Sequence, residues 1–208
     1  MVQLKQLAIN SVQETGAYSN KQIAYQQRMT NFSEAREKYR PGKIKLLFIT
    51  EAPPPEERNR YFYLEKVHRG DSLFLEMMKV LFAEEIAAFE TTKQIRAEKS
   101  YFLERFQQEG FYLMHGHNLP LPNTTANFRL SVYRGNISEL VQKILSVASP
   151  DVPIVLISAV IFRGVSEALI KSGFQVIHNE MIEFPNSGQQ LNFRRKLKPL
   201  LMRKGLLP

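Results

Sequence analysis

From residue 44 onward the chain alternates short apolar runs with stretches of helical period. The mostly apolar run Ile44–Ile49 stops at Glu51 and the prolines 53–55, which predicts a buried strand ending in a rigid loop. Leu73, Leu75, Met77, Met78 and Leu81 repeat at helical spacing behind Asp71 or Ser72 as cap, and helical character continues from Glu84 to Ala97 with a break at Thr91-Thr92. A further helix, Lys99–Gln108, is stopped by Gly110 and leads into the short strand Phe111–Met114. Asn136 opens a helix to about Val147, and Val152–Ile157 is the nearly continuous apolar run of a strand covered on both sides. A crossover helix starting at Ile161 or Arg163 and ending at Gly173, the strand Phe174–Ile177 and a basic helix from Asn192 to about Lys204 complete the pattern. Helix-then-strand alternation predicts a three-layer α/β/α domain with a mainly parallel sheet.

Residues 1–42 have a different pattern. Val2, Leu4, Leu7, Ala8 and Val12 form a loose helical stripe that Thr15-Gly16 ends; a second helix runs from a cap at Asn20 to Met29, and a third starts at Ser33–Arg36. Arg40-Pro41-Gly42 punctuates the chain before the first strand. The expected organisation is an N-terminal helical extension, 1–42, and an α/β/α domain, 43–208.

Composition narrows the class. With 208 residues the chain builds one sizeable core, its net charge of +8 favours polyanionic partners, and it contains no cysteine. Disulfides, thiolate metal sites and cysteine nucleophiles are thereby excluded, which fits a cytoplasmic home. No segment has membrane-spanning length, and Met1–Ala8 is soon interrupted by polar residues, so neither a membrane partner nor a signal peptide is expected.

Three loops carry the candidate chemistry. Loops at the carboxyl ends of strands in open α/β sheets are where ligands sit, and Glu51 is placed there. The aromatic run Tyr61-Phe62-Tyr63 follows, suited either to stacking on a flat ring or to core packing. Beyond the second strand stand His115, His117 and Asn118; no third ligand cluster follows the histidines, so no metal is expected, and no cofactor motif is present. The last loop, Glu183–Gln190, offers Asn186, Ser187, Gly188 and Gln189 ahead of the basic helix with Arg194, Arg195, Lys196 and Lys198. Amides, a hydroxyl and a glycine at a helix N-terminus suit a phosphate, and the cations that follow add salt-sensitive affinity.

In this order the three loops resemble the motifs of the uracil-DNA glycosylase superfamily. Thr50-Glu51-Ala52-Pro53-Pro54 is similar to its first motif, Phe111–Asn118 to its base-reading strand and Phe184-Pro185-Asn186-Ser187-Gly188-Gln189 to its last. The resemblance implies a four-stranded sheet in an α/β/α fold, no metal or other cofactor, and single- or double-stranded DNA as the partner of a monomer. It implies that Glu51 activates water, that Phe62 or Tyr63 stacks on a base flipped out of DNA, and that Asn118 or His115 hydrogen-bonds its edge, with His117 nearby. Asn186, Ser187, Gly188 and Gln189, followed by Arg194, Arg195 and Lys198, would hold flanking phosphates. The chain departs from the superfamily at Phe184, where active relatives carry a histidine that donates to the base oxygen; His115 or His117 would have to supply that role. It departs again at Thr50 and Pro54, where some branches have glycine, and it lacks the iron–sulfur cysteines of others. A nucleic-acid-binding module without chemistry is the alternative expectation, and a hydrolase of a free nucleotide or another small molecule a third.

Overall fold

The structure is a computed structural model that describes residues 23, 27, 29–54, 60–66, 70–122 and 125–207. The chain divides into two units, 1–38 and 39–208. In the first, a helix runs across 29–38 and takes in the expected start at Ser33–Arg36. The stripe Val2–Val12, its end at Thr15-Gly16 and the cap at Asn20 lie outside the described residues, as do Pro55 and residues 56–59.

The second unit holds one all-parallel sheet of β1 (Leu46–Thr50), β2 (Phe111–His115), β3 (Pro153–Leu156) and β4 (Gln175–Val176), in the order β2-β1-β3-β4. Between β1 and β2 lie α1 (Ser72–Leu81), α2 (Ala83–Ile86), α3 (Thr92–Ala97) and α4 (Lys99–Gln108). Then come α5 (Ala126–Gly135) and α6 (Ile137–Leu145) before β3, α7 (Ala159–Lys171) before β4, and α8 (Gln190–Arg203) last. Every residue of β1 and β2 is buried, which explains runs that are apolar on both sides of the pleat.

Alternation along β1 sorts its side chains between two layers. Phe48 meets Phe106 of α4 at 6.0 Å between ring centres, whereas Glu51, three residues on, points to the opposite side and reaches Arg129 of α5. Right-handed crossovers to β2 on one side and to β3 and β4 on the other put α1–α4 and α5–α7 on opposite faces, giving the three-layer α/β/α fold. The outer edge of β2 is closed by Tyr63, whose hydroxyl donates to the Leu113 carbonyl (3.1 Å) and accepts from its N–H (2.7 Å).

Several element boundaries differ from the sequence pattern. The helical stretch 84–97 is broken as expected, with Thr91 and Gln94 forming a capping box for α3. Asp71 stands at the N-cap of α1 without a side-chain cap bond, because its carboxylate turns to Arg96 instead. Asn136 precedes α6, yet its amide donates back to Val132 and so closes α5. α7 begins at Ala159, two residues before the earlier expected start, because the Ser158 hydroxyl accepts from the Ile161 N–H. α5 was absent from the pattern altogether. It starts at a Thr125 cap, crosses α7 closely where Gly164 lies against Tyr133, and has Tyr133 as its one buried residue.

Candidate functional site

The order β2-β1-β3-β4 makes the chain leave β1 in opposite directions, and open α/β sheets bind ligands at the carboxyl ends of strands beside such a switch. A cavity of about 350 Å³ opens there, lined by Thr50 and Glu51 from the end of β1, His115 from the end of β2, and Phe62, Asp71 and Phe74 from the first crossover. That volume lies within the range of sites for small organic ligands. The last loop reaches the same place because Ile157 bridges Ile182 and the Ser158 N–H donates to the Ile182 carbonyl at 2.8 Å, bringing Phe184 and Asn186 to the cavity wall.

Glu51 is held from two directions. Its carbonyl and that of Thr50 both accept from the Gly116 N–H, at 3.1 and 2.7 Å, so the sheet ladder fixes its backbone one residue past the strand. A side chain at 116 would meet Ile161 Cδ1 at 2.5 Å, so the tip of Ile161 fills the space that the glycine leaves. Arg129 Nε then donates to the Glu51 carboxylate at 2.9 Å, both side chains being about a quarter exposed. Beneath them lies the buried Tyr133; burial first, and then the Glu51 charge, push its phenol above the ordinary range.

On the opposite wall Asp71 is buried. Arg96 Nε donates to its Oδ1 at 2.8 Å, while Lys99 Nζ stands 3.6 Å from Oδ2 and 4.6 Å from the centre of the Phe74 ring. Lys99 is 1 % exposed, and burial pushes its ammonium down to about 8 against the opposing pull of Asp71. Arg60 crosses close over Gly70, where any side chain would collide with the guanidinium, and both line the cavity.

No family model, curated protein or solved structure matches this chain. The site is therefore read from its own geometry.

Of the residues singled out in the sequence, Glu51, His115, Phe62 and Asn186 come together at the cavity. His115 is buried, stacked on Tyr61 with ring centres 5.4 Å apart. Phe62 lines the wall and packs behind it on Phe74 and Phe106. The other candidates stand elsewhere. Tyr63 is committed to the edge of β2. His117 turns back on its own loop, with Nδ1 2.8 Å from the Leu119 carbonyl oxygen, and the Asn118 amide donates to Glu139 at 2.9 Å. Neither lines the cavity, because the chain bends away after Gly116. Asn186, Ser187, Gly188 and Gln189 form an exposed turn closed by Gln189 N–H to Asn186 carbonyl at 2.8 Å, with positive φ at Ser187 (46°) and Gly188 (87°). Arg194 pairs with the buried Glu76, which ties α8 to α1. Arg195 lines a separate cleft of about 310 Å³ with Lys196, Arg203 and Lys204, and Lys198 is exposed.

Arg129, Tyr133, Asp71, Lys99 and Thr50 were not foreseen as site residues. Arg129 and Tyr133 sit four apart on α5, one helical turn, and that spacing on a helix was the signal available for them. Among the described residues no group of three or more histidine and carboxylate side chains is arranged to hold a metal ion, and no helix is long and apolar enough to cross a membrane.

Proposed function

We propose that this chain, acting as a monomer in the cytoplasm, hydrolyses the N-glycosidic bond of a base flipped out of DNA into the cavity at the carboxyl end of β1. The observation that carries the proposal is the Glu51–Arg129 pair at a cavity walled by Phe62, Phe74 and Phe184. Aromatic walls suit a flat heterocycle, and a carboxylate beside it suits the cation that develops at the sugar carbon as the base departs. Glu51 orients a water and takes its proton; the water oxygen bonds to the anomeric carbon while the carbon–nitrogen bond breaks, and the base leaves with the electron pair. His115 and Asn186, on the same cavity, donate to the base as it gains charge. The exposed turn 186–189 beside the cavity meets a flanking phosphate, and the chain's net charge of +8 supports a polyanion as partner.

The test is release of base from labelled single- and double-stranded oligonucleotides carrying uracil, hypoxanthine or xanthine. Glu51→Gln lowers release at least about 100-fold and leaves oligonucleotide binding in place; release unchanged in that variant refutes the proposal. A second reading, a nucleic-acid-binding module without chemistry, draws on Phe184, which puts hydrocarbon at the cavity, and on Arg129, which occupies the Glu51 carboxylate. It is the reading that stands if oligonucleotides bind with steep salt dependence and no base is released.

A further inference from the structure

The positive charge of the last helix gathers in a cleft that shares no lining residue with the cavity at β1. It holds about 310 Å³ and lies between the segment that follows β4 and the second half of α8. On α8, Arg195, Pro199 and Arg203 follow one another at a spacing of four, and Lys196, Leu200 and Lys204 form a second such row beside them. Four cations thus flank an apolar floor, which Ile177 and Ile182 complete from the other wall. Both walls are fixed. Lys196 Nζ donates to the Glu183 carboxylate at 2.6 Å and to the Met181 carbonyl at 2.9 Å, which ties α8 to the chain beyond the cleft. The His178 ring accepts from the Leu156 N–H at 2.9 Å and stacks on Phe162 with ring centres 5.2 Å apart.

Lys196 is thereby spent, and the other three cations are not. Arg96, Arg105, Arg129 and Arg194 each reach a carboxylate, whereas Arg195, Arg203 and Lys204 have no hydrogen bond or ion pair among the described residues. Among those residues Glu180 is the one carboxylate lining the cleft, so three unspent cations face a single negative charge. We propose that this cleft binds a compact chain of two or three linked phosphates. A guanidinium fork matches phosphate oxygens two at a time, and Arg195 and Arg203 stand eight residues apart, about 12 Å of helix axis. A single phosphate engages one of them; a linked chain lying between them engages both, with Lys204 adding a third charge. The apolar floor of Ile177, Ile182, Pro199 and Leu200 excludes water from beneath the ligand and so strengthens each of these contacts. The cleft's volume, at the low end for small-ligand sites, suits a short phosphate chain. This site goes beyond the reaction proposed at Glu51 and does not rest on it.

The experiment is titration calorimetry of the full chain, at one fixed low ionic strength, with orthophosphate, pyrophosphate, inorganic triphosphate and a nucleoside triphosphate. Triphosphate binds at least about tenfold more tightly than orthophosphate, because it adds charge-assisted bonds at a second guanidinium. Arg195→Gln and Arg203→Gln, at exposed side chains, keep the unfolding midpoint and each lower triphosphate affinity at least about tenfold. Arg134→Gln, which removes the same charge from an exposed position on α5, changes it by less than about twofold. Equal affinity for triphosphate and the nucleotide supports recognition of the phosphate chain alone; tighter binding of the nucleotide supports a nucleotide as its source. The proposal is overturned if triphosphate does not bind, if it binds no more tightly than orthophosphate, if its affinity is unaltered in both cleft variants, or if Arg134→Gln lowers it as much as they do. A single-stranded oligonucleotide that needs Arg195 and Arg203 where triphosphate fails to bind also overturns it and gives the cleft to a nucleic-acid strand. Base release at Glu51, present or absent, alters none of these outcomes.

Discussion

Glu51 and Asp71 line the same cavity and each receives an Nε–H from an arginine, at 2.9 and 2.8 Å, yet they sit in opposite settings. Glu51 has one cation and a side chain 23 % exposed; Asp71 has two cations nearby and a side chain with no exposed surface. Exposure, more than the partner, separates the two carboxylates. Water screens the first pair and keeps it weak, so the carboxylate stays within reach of solvent. The second group has given up its water, and removing any member leaves charge stranded in the interior.

The largest effect breaks the buried cluster. Asp71→Ala strands Arg96 and Lys99 and lowers the unfolding free energy by about 3–5 kcal/mol in urea titration, as loss of one partner from a buried ion pair does. A loss below about 1 kcal/mol would mean that the two settings do not differ as described.

pH sharpens the same contrast. Lys99 titrates at about 8 in the native protein against an ordinary 10.5, so between those values the unfolded chain holds a proton that the native protein has released. Native stability therefore rises across that window by up to about 3 kcal/mol, and this contribution is flat below it. The rise is seen as a difference between wild type and Lys99→Met in unfolding from pH 7.5 to 10.5; a rise of the same size in the variant would assign it to other groups.

On the exposed side the effects shrink. Glu51→Gln changes stability by no more than about 1 kcal/mol, so thermal unfolding of the variant overlays wild type within a few degrees. The smallest expected effect lies outside the cavity, at His178. Its Nε2 accepts from the Leu156 N–H at 2.9 Å and its Nδ1–H donates to the Glu180 carbonyl at 2.7 Å, so the ring is bound in its neutral form and burial lowers its proton affinity below the ordinary 6.5. Below that value the unfolded chain takes up the proton first, so stability is lost as pH falls. His178→Gln should abolish that part of the acid sensitivity between pH 7 and 5, and an identical slope in both proteins would exclude the role.

Much of the fold was legible in the sequence because burial on both faces leaves a continuous apolar signature. Ile44–Ile49, Phe111–Met114 and Val152–Ile157 all mark strands, and the position of Glu51 at the end of the first one follows from where the apolar run stops. α5 left no such mark: a helix whose one buried residue is Tyr133 has no stripe to reveal. Its absence from the pattern concealed Arg129, and with it the partner of Glu51.

What the sequence by itself determined is the strands, the helices with an apolar stripe, their order and the strand ends that deliver Glu51 and His115, since these depend on local periodicity and on where apolar runs stop. Only the tertiary structure decided the company those residues keep. Arg129 is 78 residues from Glu51 and Arg96 is 25 from Asp71, and Asn118, close to His115 in the chain, turns away to Glu139. Such pairings arise when crossovers bring distant strand ends and helix faces to one edge of the sheet, and no local pattern encodes a distance that the packing of three layers creates.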